Sequence, residues 1–324
     1  MARELHMDLN GRIRPLLPSP DAPQAGKPMV LLVHGFNNDR AQAKESYFAM
    51  RRNLNNVLQF CGTDESRRKE VQGAIWELYW PGYHALTGTG PRGMERSGIE
   101  SAVSAASYSL EVRKARAWVP EQLSAYLRNT GPSEIFFIGH SLGCRVILET
   151  IDRLLVRQEI RLPGFLLMAG AVPVDFLTRW GRLRRAAASV NNRYCFYSWR
   201  DTVLSLAFPP GQLMAGEEPV YGLPIATGLT GWPGRLYTGQ SNTQLGHGGY
   251  WRHGIFKDQN ASHETLAGIF RVASSRGIAE EKLLELLATD RVSVIPDRHL
   301  EVWRLPGDDW LEAYGPSRRV PDLN

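Results

Sequence analysis

Glu134-Ile135-Phe136-Phe137-Ile138-Gly139-His140-Ser141-Leu142-Gly143 joins a short apolar run to a G-x-S-x-G turn. Leu142 to Val156 follows, with Val146, Ile147, Ile151, Leu154 and Leu155 on one helical side. A strand directly before that turn and a helix directly after it separate a nucleophile elbow from a chance match. In such a turn the serine takes a strained backbone geometry, and Gly139 and Gly143 keep the strand and helix free to approach. The serine oxygen then stands at a helix N-terminus, where negative charge is favoured. A plainer reading has the two glycines making a tight turn and Ser141 capping the helix. His140, between glycine and serine, reads as a packing residue.

Outward from this element, short apolar runs recur at Met29 to Val33, Ala74 to Trp80, Phe165 to Ala169 and Tyr194 to Ser198, with a weaker one at Arg235 to Thr238. Each is bounded by Gly, Pro, Asn or Ser and reads as a strand. Ala41 to Val57 and Ala102 to Leu127 read as helices, the second interrupted only by Pro120. Strands alternating with helices imply βαβ crossovers, hence an α/β fold with a doubly wound, mostly parallel sheet and helices on both faces. The proline-rich segment of residues 15 to 28 places an extended lead-in over 1–28, so the domain is expected to run from 29 to 276. Loop insertions are expected near 82–98 and 207–234, and a C-terminal helix, Ile278 to Ala288, with its tail over 277–324, is expected to pack on the same domain.

An attacking serine creates an oxyanion that needs two backbone donors, one after the nucleophile and one from an earlier strand-to-helix loop. Leu142 supplies the first. After the strand at Met29 to Val33 the chain reads His34-Gly35-Phe36-Asn37-Asn38, so Phe36 or Asn37 would supply the second. Gly35 also suits a plain turn and Asn37 a helix cap, while His34 reads as a hydrogen-bonded structural residue. The acid and then the base should follow the serine along the chain. Asp201, just past the strand at Tyr194 to Ser198, is the preferred acid, and Asp175, with a bland reading as a helix cap, is the alternative. His247, in Leu245-Gly246-His247-Gly248-Gly249-Tyr250-Trp251, is the preferred base over His253 and His263.

His34-Gly35-Phe36-Asn37 together with Gly139-His140-Ser141-Leu142-Gly143 resembles the α/β-hydrolase superfamily, in its bacterial esterase and lipase-like branch. The resemblance covers roughly Met29 to Phe270. It implies a fold of the α/β-hydrolase type, hydrolysis of a small-molecule or lipid carboxylic ester, and no cofactor. It carries the nucleophile to Ser141, the acid to Asp201 and the base to His247. The run from His247 to Trp251 also looks like the histidine loop of that branch. Tyr83, Leu86, Leu206, Phe208, Leu213, Leu229 and Trp232 are candidates to line an acyl pocket. Thioester or amide hydrolysis by the same groups, and a non-catalytic binding protein on the same scaffold, remain alternatives.

Bulk properties narrow the field. Hydrophobic residues make up 43% and charged residues 22% of the 324, the balance of an ordinary globular protein. The net charge of +5 is spread beside 33 acidic residues, which argues against nucleic acid. The densest basic stretch, Arg179, Arg182, Arg184 and Arg185, reads as a surface helix that leaves room for peripheral membrane contact. Cys61, Cys144 and Cys195 are widely spaced, so neither a disulfide framework nor a zinc site is expected. Nor do the three downstream histidines follow a metal-binding spacing. No signal-peptide core and no run of about 18 apolar residues is present, and a cytoplasmic location is expected.

Overall fold

The computed structural model describes residues 3–15, 25–36, 40–60, 64–82, 107–156, 160–217, 223–232, 239–242 and 245–252. Its frame is one eight-stranded sheet: β1 (Arg3–Met7), β2 (Ile13–Pro15), β3 (Pro28–Val33), β4 (Ile75–Tyr79), β5 (Glu134–His140), β6 (Arg161–Met168), β7 (Asn192–Tyr197) and β8 (Gly239–Asn242). The spatial order is β2-β1-β4-β3-β5-β6-β7-β8. Only β1 and β2 pair antiparallel; every other neighbouring pair is parallel. The fold is therefore α/β and mostly parallel, with β4, β3, β5 and β6 at its centre. These strands are nearly continuous apolar runs because both faces are covered.

The side-chain alternation of β5 identifies the covers. Gly139 faces α4 (Leu142–Leu154), where a Cβ would lie 2.5 Å from Ile147 Cδ1. His140 points the other way, toward Trp251 of α9 (Gly249–Arg252), whose ring meets that of Tyr47 on α1 (Arg40–Phe60) at 5.7 Å. Helices on both faces make the sheet doubly wound. A second helix, α2 (Glu65–Ala74), leads into β4.

Packed on α4 is α3, helical from 107 to Thr130, with a π-helical stretch at Lys114–Trp118 before Val119–Thr130. The widened turn precedes Pro120, which has no N–H to give to the carbonyl four residues earlier. That carbonyl, on Arg116, instead accepts from Arg153 Nη2 of α4 at 3.1 Å.

Several expectations need correction. The fold begins at Arg3 rather than Met29, because the expected lead-in contributes β1 and β2, and β1 pairs with β4 from Arg3 to His6. Only Leu5 and Met7 of β1 are buried, a half-apolar alternation too short to stand out. The expected loop insertion at 207–234 contains α7 (Phe208–Met214) and α8 (Thr227–Thr230), preceded by α6 (Thr202–Leu206). Proline early in α7 stands where its missing N–H has no helical partner to lose. The basic stretch is helical only in α5 (Arg184–Ala188). Arg179, Arg182 and Arg185 are exposed, in line with a surface position, and Arg182 pairs with Glu149 and Glu217, Arg185 with Asp152, while Arg184 lies over Trp232. The expected strand at 235–238, most of the 82–98 insertion and everything after Arg252 lie outside the described residues.

Candidate functional site

Chain direction reverses across the sheet between β3 and β5, since β3 leads to β4 on one side and β4 leads to β5 on the other. Open α/β sheets bind ligands at such a switch point, beyond the carboxyl ends of the strands. Ser141 follows β5 at that point, with φ 53° and ψ −125°. A non-glycine residue holds such a conformation only when its surroundings over-determine it. Three backbone bonds do so: Ser141 N–H donates to Met168 O at 2.9 Å, and Ser141 O accepts from Cys144 N at 3.1 Å and Ala171 N at 3.0 Å. The last donor follows a second positive-φ residue, Ala169 at 45°.

Register brings the expected oxyanion loop to the serine. Val33 pairs with Gly139, so Gly35 arrives beside Ser141. A Cβ on Gly35 would lie 2.6 Å from Ser141 Cβ and 3.2 Å from its Oγ. Gly143 is confined as tightly, since a Cβ there would meet the carbonyl oxygens of Val33 and His34 at 2.4 and 2.5 Å. These are backbone atoms at the end of a central strand, so relief requires moving α4 away from β3. Gly143→Ala is expected to destabilise the fold by about 1–3 kcal/mol, read as a melting temperature several degrees lower.

Leu142 is the first residue of α4, where its amide has no intrahelical acceptor. Phe36 packs edge-on against Tyr108 at 5.3 Å, and Asn37 lies outside the described residues. His34 is buried, with its ring stacked on Trp80 and its Nδ1 donating to Gly35 O at 2.9 Å. Its backbone carbonyl accepts from Trp80 Nε1.

The acid and base candidates come from the next strand ends. Past β7, Asp201 N–H donates to Ser198 O at 3.1 Å, closing a turn that buries the carboxylate. Asp201 Oδ1 accepts from Leu204 N at 3.0 Å and caps α6. Its Oδ2 lies 2.8 Å from His247 Nδ1, and His247 Nε2 lies 2.9 Å from Ser141 Oγ. His247 sits in a turn after β8, with 19% of its side chain exposed against none of Asp201's, so the imidazole alone of that pair reaches solvent. Asp175, the alternative acid, is in a 3₁₀ turn (Val174–Leu177) whose cap is Pro173, not its own carboxylate. His253 and His263 are outside the described residues.

His140 has a partner that the sequence did not suggest: its Nε2 lies 2.6 Å from the backbone carbonyl oxygen of His247. Burial pushes its pKa down to about 3, with the nearby His247 adding to the effect, and burial pushes His34 down to about 4. Both are neutral when folded, whereas in the unfolded chain they protonate near pH 6.5. The unfolded state therefore binds more protons below pH 6.5, and stability falls as pH drops from there toward 4. By pH 4 each histidine should remove about 3 kcal/mol. Melting temperatures from pH 7 to 4 are expected to fall steeply, and to fall less for His140→Gln.

Among the described residues no cluster of His, Cys, Asp and Glu is placed to hold a metal ion, and no helix is long and apolar enough to cross a membrane. Cys144 and Cys195 are buried and not in a disulfide, and burial raises the pKa of the Cys144 thiol well above its ordinary value. Of the acyl-pocket candidates, Phe208 and Trp232 are core residues, Leu229 packs against the core, and Leu206 and Leu213 are exposed; Tyr83 and Leu86 lie outside the described residues.

No family model matches the sequence, and no curated protein matches it. Among solved structures, one described as "the putative cell surface hydrolase from Lactobacillus plantarum WCFS1" aligns with a TM-score of 0.39 and 9% identity. The alignment covers 83% of this chain and 98% of that one. Such a distant likeness carries neither substrate nor residue roles across.

Proposed function

We propose that the protein is a serine hydrolase of the α/β-hydrolase type that cleaves carboxylic esters, with Ser141 as nucleophile, His247 as general base and Asp201 as the group that orients the base. The observation that carries this reading is the continuous line from Ser141 Oγ through the His247 ring to Asp201 Oδ2, with contacts of 2.9 and 2.8 Å. A serine hydroxyl is a weak nucleophile until a base within hydrogen-bond reach takes its proton.

His247 Nε2 accepts the Ser141 proton as Oγ attacks the ester carbonyl carbon, and Asp201 stabilises the imidazolium that forms. The amide of Leu142 and one from the Phe36–Asn37 loop stabilise the oxyanion. The carbon–oxygen bond to the alcohol then breaks, His247 returns its proton to the leaving oxygen, and an acyl ester remains on Ser141. Water, deprotonated by His247, attacks that ester; the bond to Ser141 Oγ breaks, His247 returns the proton to Oγ, and the acid is released.

The decisive experiment is labelling of the folded protein with a fluorophosphonate, followed by mapping of the modified residue. Stoichiometric labelling of Ser141 is expected, and an unlabelled Ser141 would remove the basis of the assignment. Turnover of p-nitrophenyl esters of rising chain length, run beside acyl-CoA and peptide substrates, then defines the leaving group.

A further inference from the structure

His140 stands outside the line of proton transfer from Ser141 to His247, yet it is buried and bonded to the residue that serves as base. A carbonyl oxygen only accepts, so Nε2 of His140 carries the hydrogen and donates to His247 O. The ring is also packed on the helix just past His247, with centroids 5.9 Å from Tyr250 and 5.8 Å from Trp251. We infer that His140 is the positioning residue for the base: from the position next to the nucleophile it holds the His247 carbonyl, and so sets the separation of His247 Nε2 from Ser141 Oγ. This inference rests on the serine hydrolase reading.

Three features support it. First, Gly246 and Gly248 on either side of His247 are exposed, and a Cβ built on either meets no described atom within 4 Å, so the nearest core contacts of the turn are at Leu245 and Tyr250. A glycine-flanked turn has wide backbone freedom between those contacts, and a hydrogen bond to its central residue narrows it. Second, the turn follows β8, a four-residue strand at the edge of the sheet, whereas His140 ends a central strand paired on both sides. The bond therefore ties a base delivered from the sheet's margin to its most rigid part. Third, Asp201 holds His247 by its ring and His140 holds it by its backbone. Two fixed points, one on each side of Cβ, orient an imidazole that either alone would leave free to swing. Because burial keeps His140 neutral, it also adds no charge against the imidazolium formed during turnover.

The test compares His140→Phe, which fills the site without a donor, with His140→Gln, which returns an N–H at similar reach. His140→Asn, whose amide stops short of the carbonyl, is a second loss-of-donor variant should the Phe form fold poorly. For Phe and Asn, kcat on a p-nitrophenyl ester is expected to fall on the order of 10- to 100-fold, the scale of a displacement of about 1 Å. KM should stay within about threefold, since ground-state binding is untouched. Backbone hydrogen exchange over residues 245–252 should quicken in both, and His140→Gln should recover both readouts. Parental kcat and exchange in the Phe or Asn variant, or a Gln variant as impaired as they are, would overturn the inference. If the parent fails to label at Ser141, the hydrolase reading falls, and the exchange comparison still decides whether His140 anchors the turn.

Discussion

Ser141→Ala is expected to abolish ester turnover, with kcat falling by a factor on the order of 10⁵ to 10⁶, the scale seen when the nucleophile of a triad is removed. The substitution deletes only Oγ, and with it the contact to His247 Nε2. Alanine, like serine, must hold φ near 53°, so the elbow keeps its geometry and its backbone bonds to Met168, Cys144 and Ala171. KM and melting temperature should therefore change little. Ser141→Gly should be equally inactive but more stable by about 1 kcal/mol, because glycine adopts positive φ without a steric cost. Activity in the Ala variant above about one per cent of the parent would place the nucleophile elsewhere, since the oxyanion donors and binding alone leave far less than that. Together the variants test two separate duties proposed for position 141: a hydroxyl that governs rate and a backbone conformation that governs stability.

How much of this was legible depends on the range of the interaction that fixes each residue. The strand, elbow and helix around Ser141 are specified within about twenty residues, by an unbroken apolar run, two glycines and a periodic helix, so the sequence displays them. Gly35 beside Ser141 also follows from local signals, once β3 is read as ending at Val33. β1 was illegible because its alternation spans five residues with Arg3, Glu4 and His6 between, and it is held by pairing with β4, some seventy residues away. β8 has the sequence Gly-Gln-Ser-Asn, with no apolar side chain to announce it. α7 was hidden by its prolines, which read as breakers although they stand in its first turn. Asp175 and Asp201 both follow buried parallel strands, so local pattern favoured Asp201 but left Asp175 open; a contact across 46 residues draws Asp201 to His247. The bond from His140 spans 107 residues and ends on a backbone atom, which leaves no signature in composition or spacing.

The second large effect is expected at Asp201, where a helix cap and the proposed orientation of the base share one carboxylate and can be pulled apart. Oδ1 caps α6 through Leu204 N, and Oδ2 faces His247 Nδ1. In Asp201→Asn the amide oxygen can keep the cap while the amide nitrogen faces Nδ1. Two donors cannot share that contact, so His247 shifts to the tautomer with its hydrogen on Nε2 and can no longer take the serine proton. The expected loss is about 10⁴-fold in kcat, the magnitude measured for the same exchange in a well-studied protease triad, with stability close to the parent's. Asp201→Ala should match that loss and also lower stability by about 1 kcal/mol, as the amide of Leu204 loses its acceptor. If Asp201 served only as a helix cap, the order would invert: Asn would retain activity and Ala alone would be impaired, through its stability. Kinetics and thermal melts on the same two preparations distinguish the cases, and Asp175→Asn, tested beside them, should turn over ester at the parental rate because the alternative acid has no part in the line to Ser141.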